Sequence, residues 1–303
     1  AERRAGVAKK MTTKERWLAA LAMKPVDRMP FWPKLSTAYP PMQTEPFRAM
    51  ALADIHRWIG SDRHEGVGLG VKTVYTRCRV ETTASPDRRE SVFHTPSGTM
   101  RRVMTFDADS QAWHPIVFPV TTREQIAMMT EFYADARAEL DAEGLEKARQ
   151  RAKEIGQDAL AAATIGTSAL MEWVEHLAGV ESAHLLMADY PEEVEGLFAA
   201  MDALLCRKAE LAAEHCPADA LYLTENTSTT LTSPAQFRRY ELPAMRRCGE
   251  IARAAGRPLI LHMCGHLKAL LPDLGRLPVA AFEAFTSPTL GNTTLLDGRS
   301  ACP

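Results

Sequence analysis

From residue 121 onward, short apolar runs alternate with longer stretches of helical periodicity. The runs at 160–165, 218–223, 258–261 and 279–285 read as buried parallel strands. Between them, Leu170, Trp173, Val174 and Leu177 mark one helix, and Phe198, Met201, Leu204 and Leu205 mark a long one opened by Pro191. Ser233-Pro234 caps another helix, interrupted at Pro243 and ending near Gly256, and further helices are expected at 267–274 and 292–300. Nearer the N-terminus, Thr12-Thr13-Lys14-Glu15 is a capping box ahead of Trp17, Leu18 and Leu21. Phe31-Trp32 offers a first strand. Pro46 and Gly60 frame a helix carrying Met50, Leu52, Ile55 and Trp58. Residues 66–120 differ in rhythm. Val74, Thr76, Cys78 and Val80 alternate with Arg77, Arg79 and Glu81, and Pro96-Ser97-Gly98 reads as a hairpin turn. Thr121-Thr122-Arg123-Glu124 is a second capping box, followed by helices to about Ile155.

Strand–helix alternation of this kind predicts an α/β architecture with parallel strands, of the TIM-type (β/α)8 barrel class. Six barrel strands are expected, near residues 30, 67, 160, 220, 260 and 282, with an antiparallel β excursion after the second. A closed barrel needs eight strands. The chain is therefore expected to stop about two β/α units early. No repeat or low-complexity linker divides it. The expectation is one domain over 11–303 behind a flexible extension at 1–10.

Charge and cysteine usage narrow the function classes. The formal net charge is -2 with both signs interspersed, which leaves no basic block for nucleic acid or an anionic membrane. The cysteines at 78, 206, 216, 248, 264 and 302 form no disulfide framework, so a reducing, cytoplasmic setting is expected. No apolar stretch reaches membrane-spanning length, and no signal-peptide pattern is present in the sequence.

The candidate chemistry lies where the predicted strands end. In His262-Met263-Cys264-Gly265-His266, strand alternation points His262 and Cys264 the same way. Glu225-Asn226 follows the run at 218–223, and Gly166-Thr167-Ser168 follows the run at 160–165, offering hydroxyls and a helix start to a bound group. Glu283 sits inside an apolar run, where a carboxylate is costly unless paired. Each has a plainer reading: a buried thiol, an N-cap, a solvated loop acid, an edge-strand acid. His262, Cys264 and Glu225 together offer N, S and O donors of the zinc type. Glu225 is then a third ligand or a proton handler, and Glu283 an orienting group. Cys302 is a weaker candidate ligand on placement, and His266 suits an outer position.

The chain also resembles the uroporphyrinogen decarboxylase superfamily. The resemblance is carried by Met11-Thr12-Thr13-Lys14-Glu15-Arg16 with Asp27-Arg28-Met29-Pro30-Phe31, by Ser233-Pro234-Ala235-Gln236-Phe237 with Pro243, and by His262-Met263-Cys264-Gly265. It implies a (β/α)8 barrel enzyme. True decarboxylases of that superfamily carry an Arg-rich motif after the first strand, where this chain has Trp32-Pro33-Lys34-Leu35-Ser36-Thr37-Ala38-Tyr39. The other branch contains zinc methyltransferases serving corrinoid proteins or thiol acceptors, with a His-x-Cys pair and a distant Cys. The resemblance implies that His262 and Cys264 bind zinc, that a corrinoid is carried by a partner protein, and that a methylated small molecule is donor or acceptor. Thr167, Ser168 and Asn226 are then cofactor-side residues, and a homodimer is one admissible assembly. Two alternatives remain: cofactor-free decarboxylation, and an inactive, truncated barrel.

Overall fold

The computed structural model describes residues 10–302. The expected N-terminal extension falls outside the described residues apart from Lys10. Eleven strands are formed among the described residues: β1 (His64–Gly66), β2 (Val71–Val74), β3 (Arg79–Ala84), β4 (Arg88–Thr95), β5 (Gly98–Asp107), β6 (Ala112–Val117), β7 (Arg137–Leu140), β8 (Leu160–Gly166), β9 (Ala220–Thr224), β10 (Leu259–His262) and β11 (Ala281–Glu283). Five of them form one parallel sheet in the order β1-β8-β9-β10-β11. The others are antiparallel: β2 pairs with β7, and β3 to β6 form a meander. The expected β excursion is therefore present. The parallel strands form an open sheet among the described residues, with β1 and β11 outermost.

The two faces of the parallel sheet differ. Ala161, Ala163, Ile165, Leu221, Leu223, Leu259 and Leu261 face the helices Pro191–His215 and Leu242–Ala254 and build the largest core with Leu205, Ala209, Met245 and Cys248. On the other face, Leu160, Ala220, Tyr222 and Ile260 are covered by Trp17 and Leu21 of the first helix, Thr13–Leu21. That helix starts at the expected Thr12–Glu15 capping box. Toward the strand carboxyl ends this second face turns polar, with Thr164 exposed and Thr224 and His262 half-buried. A second core packs the meander through Phe93 and Met100 against Ile126, Met129 and Phe132 of the helix Arg123–Asp135.

Several expectations are corrected. Phe31-Trp32 is not a strand, leaving five parallel strands where six were expected. Pro30 and Pro33 remove backbone donors on both sides, and a ladder needs them. Trp32 instead stacks on His64 with ring centroids 3.9 Å apart. The expected strand across 74–80 is broken in two. The Asp135 carboxylate accepts the backbone N–H groups of Thr76, Arg77 and Cys78 at 2.8, 2.8 and 2.9 Å, which turns the chain from β2 into β3. The helices expected up to Ile155 are Arg123–Asp135 and Ala142–Ile155, with the unanticipated strand β7 between them. The second capping box shifts by one residue, to Thr122 with Gln125. The helix framed by Pro46 and Gly60 begins at Leu52, after a separate turn at Phe47–Ala49. Among the described residues no helix is long and apolar enough to cross a membrane.

Candidate functional site

Register assembles the site. His262 lies opposite Thr224 on one side and opposite Glu283 on the other. Facing residues of adjacent parallel strands share a face, so His262 and Glu283 stand together on the polar half of the sheet. Glu283 Oε2 meets His262 Nδ1 in a very short contact. Lys34 Nζ donates to Glu283 Oε2 at 3.1 Å and lies 3.3 Å from His262 Nδ1. Beyond the end of β10, the Cys264 thiol donates to Asn226 Oδ1 at 3.2 Å, and Asn226 Nδ2 donates to Glu175 Oε1 at 2.8 Å. One polar line thus crosses the strand mouths from Lys34 through Glu283, His262, Cys264 and Asn226 to Glu175.

Its electrostatics follow from these contacts. A hydrogen bond to Cys264, and next the bond to Glu283, stabilise the imidazolium and push His262 up to about 9, against the cost of burial. Burial alone would raise Glu283, but hydrogen bonds from His262 and Lys34 bring it net below the ordinary carboxylate value.

Glu225 goes elsewhere. Tyr222 and Thr224 face the polar side, so the next residue faces the helices. Glu225 is fully buried there, and its carboxylate accepts from both the N–H and the hydroxyl of Ser168 at 2.6 Å. Burial, and then the nearby Glu241 charge, raise it well above the ordinary carboxylate value despite the Ser168 bonds. Ser168 is itself fully buried, with both donors committed to Glu225, and Thr167 beside it is half-buried. The structure brings His262, Cys264, Asn226 and Glu283 together. It does not bring Glu225 or Ser168 into that line. Among the described residues no group of three or more His, Cys, Asp or Glu side chains is arranged to hold a metal ion. Cys302 ends the helix Leu295–Ala301.

A second buried acid lies behind Glu225. Glu241 sits in a π turn, Phe237–Glu241, that directs it inward, where Thr227 and Thr232 hydroxyls donate to it at 2.5 and 3.3 Å. Burial pushes it up to about 7. An unfolded chain releases this proton near pH 4.5, so between about 4.5 and 7 the folded state holds a proton the unfolded state has lost. Stability is expected to fall across that window by about 3 kcal/mol from this group and to level off above it. Glu241→Gln should flatten that part of the profile relative to the parent, as read from urea unfolding at several pH values.

Gly265 fixes where Cys264 sits. A Cβ there would lie 2.3 Å from Thr227 O and 2.4 Å from Ser228 Cβ. The two loops are also joined by bonds from His266 N to Ser228 Oγ and from Thr229 N to His266 O, both 3.0 Å. Gly265→Ala forces the loops apart and is expected to cost about 1–3 kcal/mol of unfolding free energy. A urea midpoint equal to the parent's would contradict this.

Lys34, Glu175 and Glu241 were not anticipated. Glu175 and Glu241 carried no distinct signal, since Glu172 and the pair Arg238-Arg239 stand close beside them in sequence. Lys34 had none beyond lying where the resemblance expects an arginine motif.

Polar side chains gathered at the carboxyl ends of parallel strands make this an α/β protein of the kind that keeps its chemistry at strand mouths. More particularly, the chain belongs to the uroporphyrinogen decarboxylase (URO-D) family, whose pattern matches residues 120–289, more than half of its length. It is similar to a methylated-thiol–coenzyme M methyltransferase of Methanosarcina mazei, with 31% identity over 114 residues. That match covers 37% of this chain and 30% of the relative's length. In fold it is similar to a methyltransferase from Methanosarcina mazei, with a TM-score of 0.52 and 14% identity over 90% of this chain and 76% of that one.

Proposed function

We propose that this chain catalyses methyl transfer between a methylated small molecule and a thiol or corrinoid acceptor, with His262 and Cys264 as two protein ligands of a zinc ion. The observation that carries this reading is the imidazole and thiol side by side at the strand mouths with Glu283 on Nδ1. Imidazole and thiolate suit zinc, and a metal-bound histidine regularly gives its other ring nitrogen to a carboxylate. A catalytic zinc takes three protein ligands, and this pair supplies two. Bound zinc supplies a Lewis acid and holds a thiol as thiolate.

The residues present have defined work in this reading. Glu283 sets the ring orientation of His262 and takes its Nδ1 proton in a hydrogen bond. Before zinc binds, Asn226, itself held by Glu175, positions the Cys264 thiol. Lys34 offsets the Glu283 charge and keeps it fixed beside the ring. Glu225, accepting both Ser168 donors, ties the end of β9 to the start of the helix that follows β8. The curated relative's name, with its methylated thiol and coenzyme M, supports a thiol as acceptor here. A methyl-corrinoid protein is the other carrier the reading allows.

The test measures zinc per chain by mass spectrometry of the metal and methylated product by mass spectrometry of the acceptor. Zinc-loaded protein is expected to move a methyl group from a methylated thiol, or from methylcobalamin, to a free thiol. A chelator-stripped protein should not. Full methyl transfer without metal would overturn the zinc assignment, and carbon dioxide release from a polycarboxylate substrate would replace this reading with cofactor-free decarboxylation.

A further inference from the structure

We propose that a second copy of this chain docks antiparallel along β3, joining the two meanders into one continuous sheet centred on Val80. The meander has two edges, β3 and β6. β6 is blunted by Pro115, which cannot donate a ladder bond. β3 contains no proline, and all six of its residues are exposed.

The outward-facing backbone groups of β3 can be identified. Ser85 N–H donates to Arg88 O at 2.7 Å, closing the turn between β3 and β4. Antiparallel bonding alternates along a strand. Ser85, Thr83, Glu81 and Arg79 therefore direct their backbone groups to β4, and Val80, Thr82 and Ala84 direct theirs to the free edge. Pairing two copies at Val80 makes a hydrogen-bonded Val80–Val80 pair about a two-fold axis.

Side chains agree with that register. Val80 lies opposite Phe93, so it shares the core-facing side of the meander, yet it remains 43% exposed at the edge. In the pair, the two Val80 side chains cover one another. On the other face, Arg79 of each copy comes opposite Glu81 of its partner. The two already share a face within one chain, 2.9 Å apart, with His94 Nε2 3.4 Å from Glu81. An edge carrying like charges would repel its own copy, whereas Arg-x-Glu is complementary to itself.

Sedimentation of the full chain over a range of concentrations tests this. Concentration-dependent dimer formation is expected. Arg79→Glu alone or Glu81→Arg alone sets like charges opposite one another at both contacts, and each should weaken dimerisation about tenfold. The double variant restores opposite charges and should recover the dimer. Mixing the two single variants should form a heterodimer for the same reason. Val80→Pro removes an outward donor without breaking the ladder to β4, and should abolish pairing with unchanged circular dichroism. A monomer at every concentration would overturn the proposal. So would a dimer indifferent to the single charge reversals.

Discussion

Cys264→Ser and His262→Ala are each expected to abolish stoichiometric zinc loading and to lower methyl transfer by more than about a hundredfold. Loss of an outer partner alone typically costs about 10–100-fold in metal affinity or activity, and loss of a direct ligand should exceed that. Serine keeps the size of Cys264 but cannot supply a thiolate at neutral pH. Glu283→Gln keeps a hydrogen-bonding group on Nδ1 without its charge, and should fall in the about 10–100-fold range. Loading should also depend on pH. The bond to Cys264, then that to Glu283, holds the imidazolium to about 9. Zinc must displace that proton and the Cys264 thiol proton, so apparent affinity should rise by at least about tenfold per pH unit up to about 9. Metal titration at several pH values reads this, and a Cys264→Ser protein retaining one zinc per chain would refute the ligand assignment. Circular dichroism separates these losses from unfolding.

Asp62→Ala is expected to cost about 3–5 kcal/mol of stability, the usual result of breaking a buried ion pair from one side. Asp62 is fully buried just before β1. Its carboxylate accepts from Arg28 Nη1 and Nη2 at 2.6 and 2.9 Å, from Phe31 N at 3.0 Å, and from Arg16 Nη1. Arg16 is only 3% exposed and is otherwise held by Asp27. The network thus ties the first helix, the turn at Asp27-Arg28 and the start of β1 to one carboxylate. It also sets the path of the segment that carries Trp32 and Lys34 to the site. Asp54→Ala is the control. Asp54 pairs with Arg57 on the surface, with both side chains at least half exposed, and its loss should stay within about 1 kcal/mol. Equal urea midpoints for the two variants would show that the Asp62 network does not hold the N-terminal segment.

Much of the architecture was legible because apolar runs and capping residues act locally. The runs at 160–165, 218–223 and 258–261 became β8, β9 and β10, and the capping box at Thr12–Glu15 starts the first helix. Phe31-Trp32 failed because flanking prolines outweigh β-forming side chains. The strand over 74–80 failed because its partner in breaking it, Asp135, lies more than fifty residues away. No local pattern carries such information.

The His262–Cys264 pair was readable from alternation along one strand, and the same alternation applied to β9 already turns Glu225 away from Thr224. Placing Glu283 against His262 required the register of β10 with β11, which depends on how two strands slide past one another. Lys34 reaches the site only because Trp32 stacks on His64 and Asp62 anchors the preceding backbone. The sequence by itself determined the parallel β/α rhythm, the family and the His262–Cys264 pair, because periodicity, capping and strand parity are short-range properties. Only the tertiary structure decided which charges meet that pair, because those contacts join segments that nothing in their local sequence brings together.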